Sequence, residues 1–532
     1  MTHEVLHPED AVLDPRRRTQ ILVAMCVALI AVVASVSGLN VAQQQLAVDL
    51  GASQSDLLWV INGYTIALAA LLMPIGAIGD RWGRKKVLVG GLVVFVVANL
   101  AGVLAATVTQ LLIARVAAGV GAAMIMPVTL SVITSSFPEE DRDRAVGVWA
   151  GFAGAGGILG LVSSSIVVDN FTWPWVFALP VVFAAIAFVM TLVVVPHSRE
   201  HTLGRFDTVG SILSAVAVGA VVLGIHEGPE RGWTDPITLA GLIVGVAASI
   251  AFVAWELRQD HPLLNLRVFR NRMLTAGTVY LLVVFAIMMA LFLVLVQFLQ
   301  AGLGFSAIKA SAGLLPMAAL MMPLSALAPL LARRVGMRTM FVGGALAIAA
   351  GLGLMALMAD ADRGYLSVLP GLLVLAIGVG LSMTPGTTAI TGSLPVEEQG
   401  VASALNDTVR ELGGAVGVAL IGSVLSAAYS SSVADATAGL PDEAAHVVEE
   451  GIGGAVVVAG QMGPQGEALL HSARVAFVDA WTSSIWISAG LALAAALFAL
   501  VWTPSRRDEL AGDDDAVEAS SGDALLGVSV GD

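Results

Sequence analysis

The sequence predicts an all-α polytopic membrane protein, and three observations carry that reading. Mean hydropathy is +0.88 over 532 residues, with 57% of the chain hydrophobic and only 12% charged. Apolar runs of about eighteen residues or more recur along the chain, long enough to cross a bilayer core. None alternates every second residue as barrel strands do, so the backbone groups that lipid leaves unsatisfied must be met within helices. A soluble domain is excluded.

Fourteen spans are expected, at 19–41, 57–79, 86–106, 110–134, 144–167, 174–195, 208–226, 236–256, 273–299, 308–332, 338–358, 365–390, 402–428 and 480–503. The first follows Arg16, Arg17 and Arg18 and is too long for the apolar core of a cleaved signal peptide, so it is read as a retained helix. Cys26 lies inside it and is the chain's one cysteine, which rules out a disulfide framework or a cysteine-based metal site. With both termini placed in the cytoplasm, about twenty of the 26 Lys and Arg fall on the inner side. These include Arg142, Arg144, Arg258, Arg267, Arg270, Arg333, Arg334 and Arg338. Arg231, Lys309, Arg363 and Arg474 fall outside, while Arg115 and Arg410 fall within spans. A multi-pass protein of the cytoplasmic membrane is expected, with residues 1–18 as a cytoplasmic N-terminal segment.

The net charge of −14 is concentrated in two places. A tail at 505–532, with Asp508, Glu509, Asp513, Asp514, Asp515 and Glu518, is expected to be disordered and cytoplasmic. The outer segment 429–479 carries seven acids against Arg474 alone. Within it "AAHVVEEGIGGAVVVAG" and "GEALLHSARVAFVDAW" are expected to form two short helices lying back on the membrane surface.

Internal repetition organises the spans. "DRWGRKKVLVGG" from Asp80 aligns with "RRVGMRTMFVGG" from Arg333, setting Gly83 against Gly336 at an offset of 253 residues. "GVGAAMIMP" and "GVGLSMTP" repeat at nearly that offset. The expected organisation is a six-helix half at 19–200, an inserted helix pair at 201–260 and a second six-helix half at 261–504 that includes the outer hairpin. Such repeats belong to secondary transporters, whose two parts rock around a site near the bilayer midplane.

The stretch "GAIGDRWGRKK", with Gly76, Asp80, Arg81, Gly83, Arg84 and Lys85, resembles the signature loop of the major facilitator superfamily. "RVAAGVG" from Arg115 resembles its helix-4 motif. "PLLNLRVF", "GLLPMA" and "GVASALNDTVRELGGAVG" are similar to the fourteen-helix drug:proton antiporters of the QacA and SmvA type. The resemblance runs over nearly the whole chain. It implies a secondary exporter of amphipathic drugs or antiseptics, driven by the proton gradient of a bacterial cytoplasmic membrane. A dedicated lipid or natural-product exporter is the alternative, and a non-transporting sensor or scaffold a more distant one.

The signature loop is read as a latch. Asp80 ends helix 2, where the dipole disfavours an acid unless Arg81 or Arg84 pairs with it, and Gly83 permits a tight turn. At membrane depth an ionisable residue is a functional candidate. Arg115 is one, and the resemblance implies a part in proton coupling; the alternative is snorkelling to the outer interface. Asp407 and Glu411 are four apart and share a helical face with Arg410. Two buried like charges suit a proton carrier, unless the helix enters the membrane only at Leu412.

Departures from the family pattern bear on coupling and on charge preference. Ser35 stands where the pattern has an Asp five residues before Asn40. Leu161 follows Gly160 where the antiporter motif has Pro, and amides occupy Asn62 and Asn406.

Candidates for a substrate cavity are Asn40, Gln43, Gln44, Asn62, Tyr64, Trp149, Phe152, Met288, Met289, Gln297, Met317 and Met321. Met and aromatic side chains repack around varied apolar ligands, though Met at helical spacing also serves as plain core. His197 and His201 lack a third ligand, so no metal site is expected. No Gly-Lys-Ser/Thr phosphate loop is present, so a gradient rather than ATP is the expected energy source and no cofactor is implied. No enzymatic activity and no nucleic-acid partner are expected. The partners are a small amphipathic molecule, protons and membrane lipids, with the chain acting as a monomer.

Overall fold

The computed structural model describes residues 14–196, 206–359 and 364–506. His197, His201 and the acidic stretch from Asp508 onward lie outside the described residues. Regular structure among the described residues is helical throughout: α1 (Pro15–Leu50), α2 (Gln54–Trp82), α3 (Arg84–Val103), α4 (Val108–Ser136), α5 (Glu139–Asn170), α6 (Ala178–Val194), α7 (Thr208–Arg231), α8 (Pro236–Glu256), α9 (Arg272–Gln297), α10 (Ala307–Ala312), α11 (Leu315–Val335), α12 (Met337–Met358), α13 (Leu369–Thr391), α14 (Gln399–Thr437), α15 (Asp442–Glu450), α16 (Ile452–Met462) and α17 (Gly466–Trp502). Counting α10 and α11 as one span, fourteen are long and apolar enough to cross a membrane, which agrees with the number expected.

Most expected boundaries are too short, because hydropathy marks the lipid-facing stretch whereas a helix ends at a cap or a glycine. α1 begins at Asp14, whose carboxylate accepts the Arg16 amide at 2.9 Å. It then continues through polar residues to Gly51, at φ 59°. α2 starts from a reciprocal cap in which Ser53 and Asp56 bond each other's backbone amides. α14 has 39 residues, which at about 1.5 Å each make it nearly twice as long as the ~30 Å core.

The outer segment differs from expectation in two ways. "GEALLHSARVAFVDAW" is no separate helix but the first part of α17, and the stretch expected as one helix at 444–460 is divided at Gly451 into α15 and α16. Val448, Ile452, Ala455 and Val458 are buried, and Thr437 Oγ1 donates to the Glu449 carboxylate at 3.0 Å. The short helices are therefore packed on the long ones.

α1–α6 pack into one bundle, and α9, α11–α14 and α17 into a second. α7 pairs with α8 and also lies against α2 and α14, touching one helix of each bundle. The bundles meet where α14 packs on α2 and α4 and where α5 packs on α11 and α13. At one end, Arg17 donates to Val194 O at 3.2 Å, Lys85 to Leu192 O at 2.9 Å and Arg338 to Thr503 O at 2.7 Å. These bonds gather both described chain ends and the Arg-rich loops, and this is the basic end of the molecule.

The turns expected to correspond do so in backbone geometry. Gly83 separates α2 from α3 at φ 106°, and Gly336 separates α11 from α12 at φ 84°. Both lie where a side chain is strained, at a cost of about 1–3 kcal/mol each. Gly83→Ala and Gly336→Ala should each lower the thermal unfolding temperature in detergent, and the double substitution should lower it further. Unchanged unfolding temperatures would show that the turns tolerate other backbone angles.

Candidate functional site

Asp80 lies in the last turn of α2 and is only 1% exposed. Its own helix end is electrostatically unfavourable, so its stabilisation comes from elsewhere. Arg84 donates to Oδ1 through Nη2 at 2.8 Å and Nε at 3.1 Å. The Gly400 amide donates to Oδ2 at 2.8 Å and the Val401 amide to the same oxygen at 3.2 Å. Those amides open α14, which has no side-chain cap of its own. Asp80 is therefore the N-terminal anion of a helix in the other bundle, satisfying orphan donors at the positive dipole end.

Of the two expected partners, Arg84 makes these bonds. Arg81 lies with its guanidinium 5.5 Å from the centre of the Phe206 ring, which Trp82 also stacks against at 6.2 Å. Phe206 leads into α7, so the signature loop grips the inserted pair. Glu398 sits just before α14. Burial first, then the charges of Asp80 and Glu397, push its carboxyl above the ordinary range, with Arg81 opposing.

The close approach of α2 to α14 depends on two glycines. A Cβ on Gly76 would lie 2.5 Å from Gly400 O and 2.7 Å from the Ala404 Cβ, and one on Gly400 would meet the Asp80 carboxyl at 2.6 Å. Gly76 thus serves close packing, while Gly83 serves the turn.

The repeat position of Asp80 is Arg333, and it too reaches the start of a helix in the other bundle. Arg333 Nη2 is 3.2 Å from Asp143 Oδ2 and 3.4 Å from Glu140 O in the first turns of α5. The charges are reversed, and the pair is exposed enough to contribute little on its own. Beside it a cavity of about 540 Å³ opens between the bundles, lined by Arg142, Asp143, Arg333, Thr388, Thr391 and Gln399, among others.

Arg115 does not snorkel. It is 1% exposed, because it lies eight residues into α4 among helices that enclose it. Nη1 donates to Ser35 Oγ at 3.0 Å and Ser35 O at 3.2 Å, Nε donates to Val60 O at 3.3 Å, and the guanidinium lies 4.3 Å from the centre of the Tyr64 ring. Ser35, at the position where the family pattern has an acid, in turn donates to Asn99 Oδ1 at 3.2 Å.

Asp407, Arg410 and Glu411 lie within α14, which starts at Gln399. Asp407 is 0% exposed and Arg410 6%, and Glu411 is partly buried. Arg410 Nη1 is 3.4 Å from Asp407 Oδ1, and Asn406 Nδ2 donates to the same oxygen at 3.2 Å. Among the described residues, Asp407 Oδ2 and Arg410 Nε have no hydrogen-bond partner. Glu411 follows Arg410 on α14. Two polar groups are thus built, Asp407 with Arg410 in the second bundle and Arg115 with Tyr64 and Ser35 in the first.

The expected cavity residues are dispersed among several contacts. Asn62 Oδ1 is 3.0 Å from His226 Nδ1 of α7. Tyr64 and Trp149 are fully buried beneath guanidinium groups. Met321 is buried against Gly154 in the seam between α5 and α11, and Met289 lies beside Gly414. Met288 and Met317 are buried in the core. Gln43, Phe152 and Gln297 are partly buried, and the side chains of Asn40 and Gln44 lie outside the described set.

Four participants are absent from the candidates read in the sequence. The Gly400 and Val401 amides carry no side-chain signal. His226 does carry one: a histidine in an apolar run, detectable by the same rule that marks Arg115. Thr129, which accepts the Trp149 indole N–H at 3.1 Å, is apparent only in three dimensions.

The sequence profile of the Major Facilitator Superfamily matches residues 23–418, and the chain belongs to that superfamily of membrane transporters. It is 32% identical over 454 residues to the multidrug efflux pump LfrA of Mycolicibacterium smegmatis, covering 85% of this chain and 89% of that protein. It is 30% identical over 510 residues to the tetracenomycin C resistance and export protein of Streptomyces glaucescens, covering 94% of each. The methyl viologen resistance protein SmvA of Salmonella typhimurium is 29% identical over 489 residues, 90% of this chain and 97% of that protein. Among solved structures, the proton:xylose symporter XylE has a similar fold, with a TM-score of 0.56 at 15% identity over 92% of this chain and 96% of that one. So does a bacterial homolog of the human lysosomal transporter Spinster, with a TM-score of 0.56 at 16% identity over 92% and 100%. The resemblance read from the signature loop and α14 is borne out for family and fold.

Asp80→Asn keeps the shape but removes the charge, leaving Arg84 buried and its partner neutral. Breaking a buried pair in this way costs on the order of 3–5 kcal/mol. In a Cys26→Ser background, a Thr391→Cys probe at the basic-end cavity should then react with a maleimide at least about tenfold faster, since roughly 1.4 kcal/mol suffices for that factor. An unchanged rate, with the protein inserted normally, would show that Asp80 does not hold the bundles together.

Proposed function

We propose that this protein is a proton-driven exporter of amphipathic drugs or antiseptics, working by alternating access as a monomer in the cytoplasmic membrane with both termini inside. The basic end is then cytoplasmic, in keeping with the positive-inside rule. The observation that carries the reading is the burial of Asp407 and Arg410, with Glu411 partly buried beside them, within α14 at the junction of the two bundles. Such groups are costly at membrane depth and mark proton pathways. The export and resistance functions in the relatives' names support the direction of transport.

In this reading the two bundles are the two halves, and the inserted pair 201–260 sits beside them. Asp407 and Glu411 take up a proton from outside and release it to the cytoplasm, while Arg410 stabilises the emptied form. Arg115 forms a second polar node, held by Ser35, Val60 and the Tyr64 ring. Gly76, Asp80, Arg81, Gly83 and Arg84 form the latch that keeps the cytoplasmic end closed until the halves rock. Substrate binds between the halves beside soft side chains such as Met321 in the seam of α5 and α11, where adaptable surfaces suit varied amphiphiles. A dedicated natural-product exporter is the second reading, favoured by the tetracenomycin C exporter's similarity over 94% of both chains.

Neutralising both carriers with Asp407→Asn and Glu411→Gln should leave substrate binding measurable and make flux in proteoliposomes indifferent to an imposed pH gradient. Each single change should do less, because a coupled pair shares its proton. If the double variant still concentrates substrate when the pH jump is applied, coupling resides elsewhere and this assignment fails.

A further inference from the structure

The Arg410 guanidinium is held by both bundles. Within its own bundle it has Asp407, at 3.4 Å, and the Phe285 ring of α9, whose centre is 4.5 Å from Cζ. From the first bundle comes Trp149 of α5, its ring centre 5.3 Å from Cζ. Trp149 is fully buried. Its indole N–H donates to Thr129 Oγ1 at 3.1 Å, and that hydroxyl donates to Met126 O at 2.7 Å. The ring therefore has its orientation fixed by α4, its donor occupied and one face presented to Arg410, which leaves it little to offer a transported molecule.

We propose that Trp149 is a positioning residue for the acid pair: its ring holds Arg410 across the bundle boundary and ties protonation of Asp407 and Glu411 to separation of the bundles. This rests on the reading of those two acids as the proton carriers. When the bundles part, Phe285 moves with Arg410 and Trp149 does not. The Trp149 contact belongs to the arrangement observed here, so its free energy biases the equilibrium between arrangements.

The charge logic gives the direction. While Asp407 is ionised, Arg410 has its carboxylate and two aromatic faces. When Asp407 and Glu411 are protonated, the carboxylate attraction is lost, and a buried cation left with aromatic faces gains by reaching water. Protonation thus favours separation and the Trp149 face opposes it. The other titratable groups at membrane depth on elements packed against α14 are Tyr64 of α2, Arg115 of α4, His226 and Glu227 of α7 and Tyr280 of α9. α13 has none, α17 bears its ionisable residues only between Glu467 and Asp479, and Asp80 caps the first turn of α14. None of them replaces the Trp149 face.

The test uses the full chain in lipid nanodiscs, in a Cys26→Ser background, with spin labels at Lys86→Cys and Thr339→Cys. These are exposed sites at repeat-related positions in the two bundles. The label separation should change with pH. Trp149→Leu should move the midpoint of that change upward by about one pH unit, the shift that a tenfold weaker lock gives for a one-proton coupling. Trp149→Phe keeps a ring face and should restore most of the midpoint, a rescue that loss of packing alone would not produce. If Trp149→Leu does not reach the membrane, Thr129→Val, which frees the indole, should give a smaller shift in the same direction. An unshifted midpoint in Trp149→Leu, or in Thr129→Val where that stands in for it, overturns the proposal, as does a variant that loses substrate affinity at an unchanged midpoint. If the Asp407→Asn, Glu411→Gln protein keeps its full pH response, the carriers themselves are wrongly assigned. A wild-type separation that ignores pH overturns both.

Discussion

The contact between Asp80 and the first turn of α14 is the constraint on which the rest depends. A carboxylate that would destabilise the end of its own helix becomes the missing cap of another. Because that helix lies in the other bundle, the bond sets where α14 sits relative to α2. Gly76 and Gly400 let the two backbones come close enough for it. The depth and facing of Asp407, Arg410 and Glu411 follow, since all three project from α14. One electrostatic mismatch at the basic end thereby positions the charged groups of α14 against the first bundle.

Two arginines buried in these bundles meet the same problem with different means. Arg115 relies on the Ser35 hydroxyl, two carbonyl oxygens and the Tyr64 face. Arg410 has Asp407 and the faces of Trp149 and Phe285. A guanidinium is less strongly hydrated than an ammonium and stacks on rings, which is why it can be kept at such sites. The difference between the two sites decides which one responds to protons. Neutral oxygens around Arg115 change little with pH, whereas the environment of Arg410 contains two acids. In the proposed mechanism, with Ser35 in place of an acid, proton sensitivity is concentrated in α14.

The fourteen spans, their order and the signature loop are legible in the sequence because bilayer thickness and the positive-inside bias leave strong one-dimensional signals. Helix ends are less so: α1 runs on to Gly51 and α17 begins at Gly466 because capping and tertiary support, not hydropathy, decide where winding stops. The grouping of Asp407, Arg410 and Glu411 follows from helical spacing. The burial of Arg115 does not, since snorkelling and enclosure are equally compatible with its position along α4. The cavity residues were the least legible. Trp149 and Tyr64 have the composition of a substrate pocket, yet each is committed to an arginine, and Asn62 is turned to His226. Those pairings join residues between 51 and 261 positions apart, beyond the reach of any local pattern.

The central claim is that substrate and proton compete through the acid pair of α14. Calorimetric titration of substrate into the purified transporter, repeated in buffers of different ionisation enthalpy, measures that directly. The account predicts that binding releases about one proton near neutral pH, as linkage requires when ligand favours the deprotonated pair, and that the release vanishes when Asp407 and Glu411 are both neutralised. Binding without proton release in the wild type, or release that persists in the neutralised protein, would contradict it.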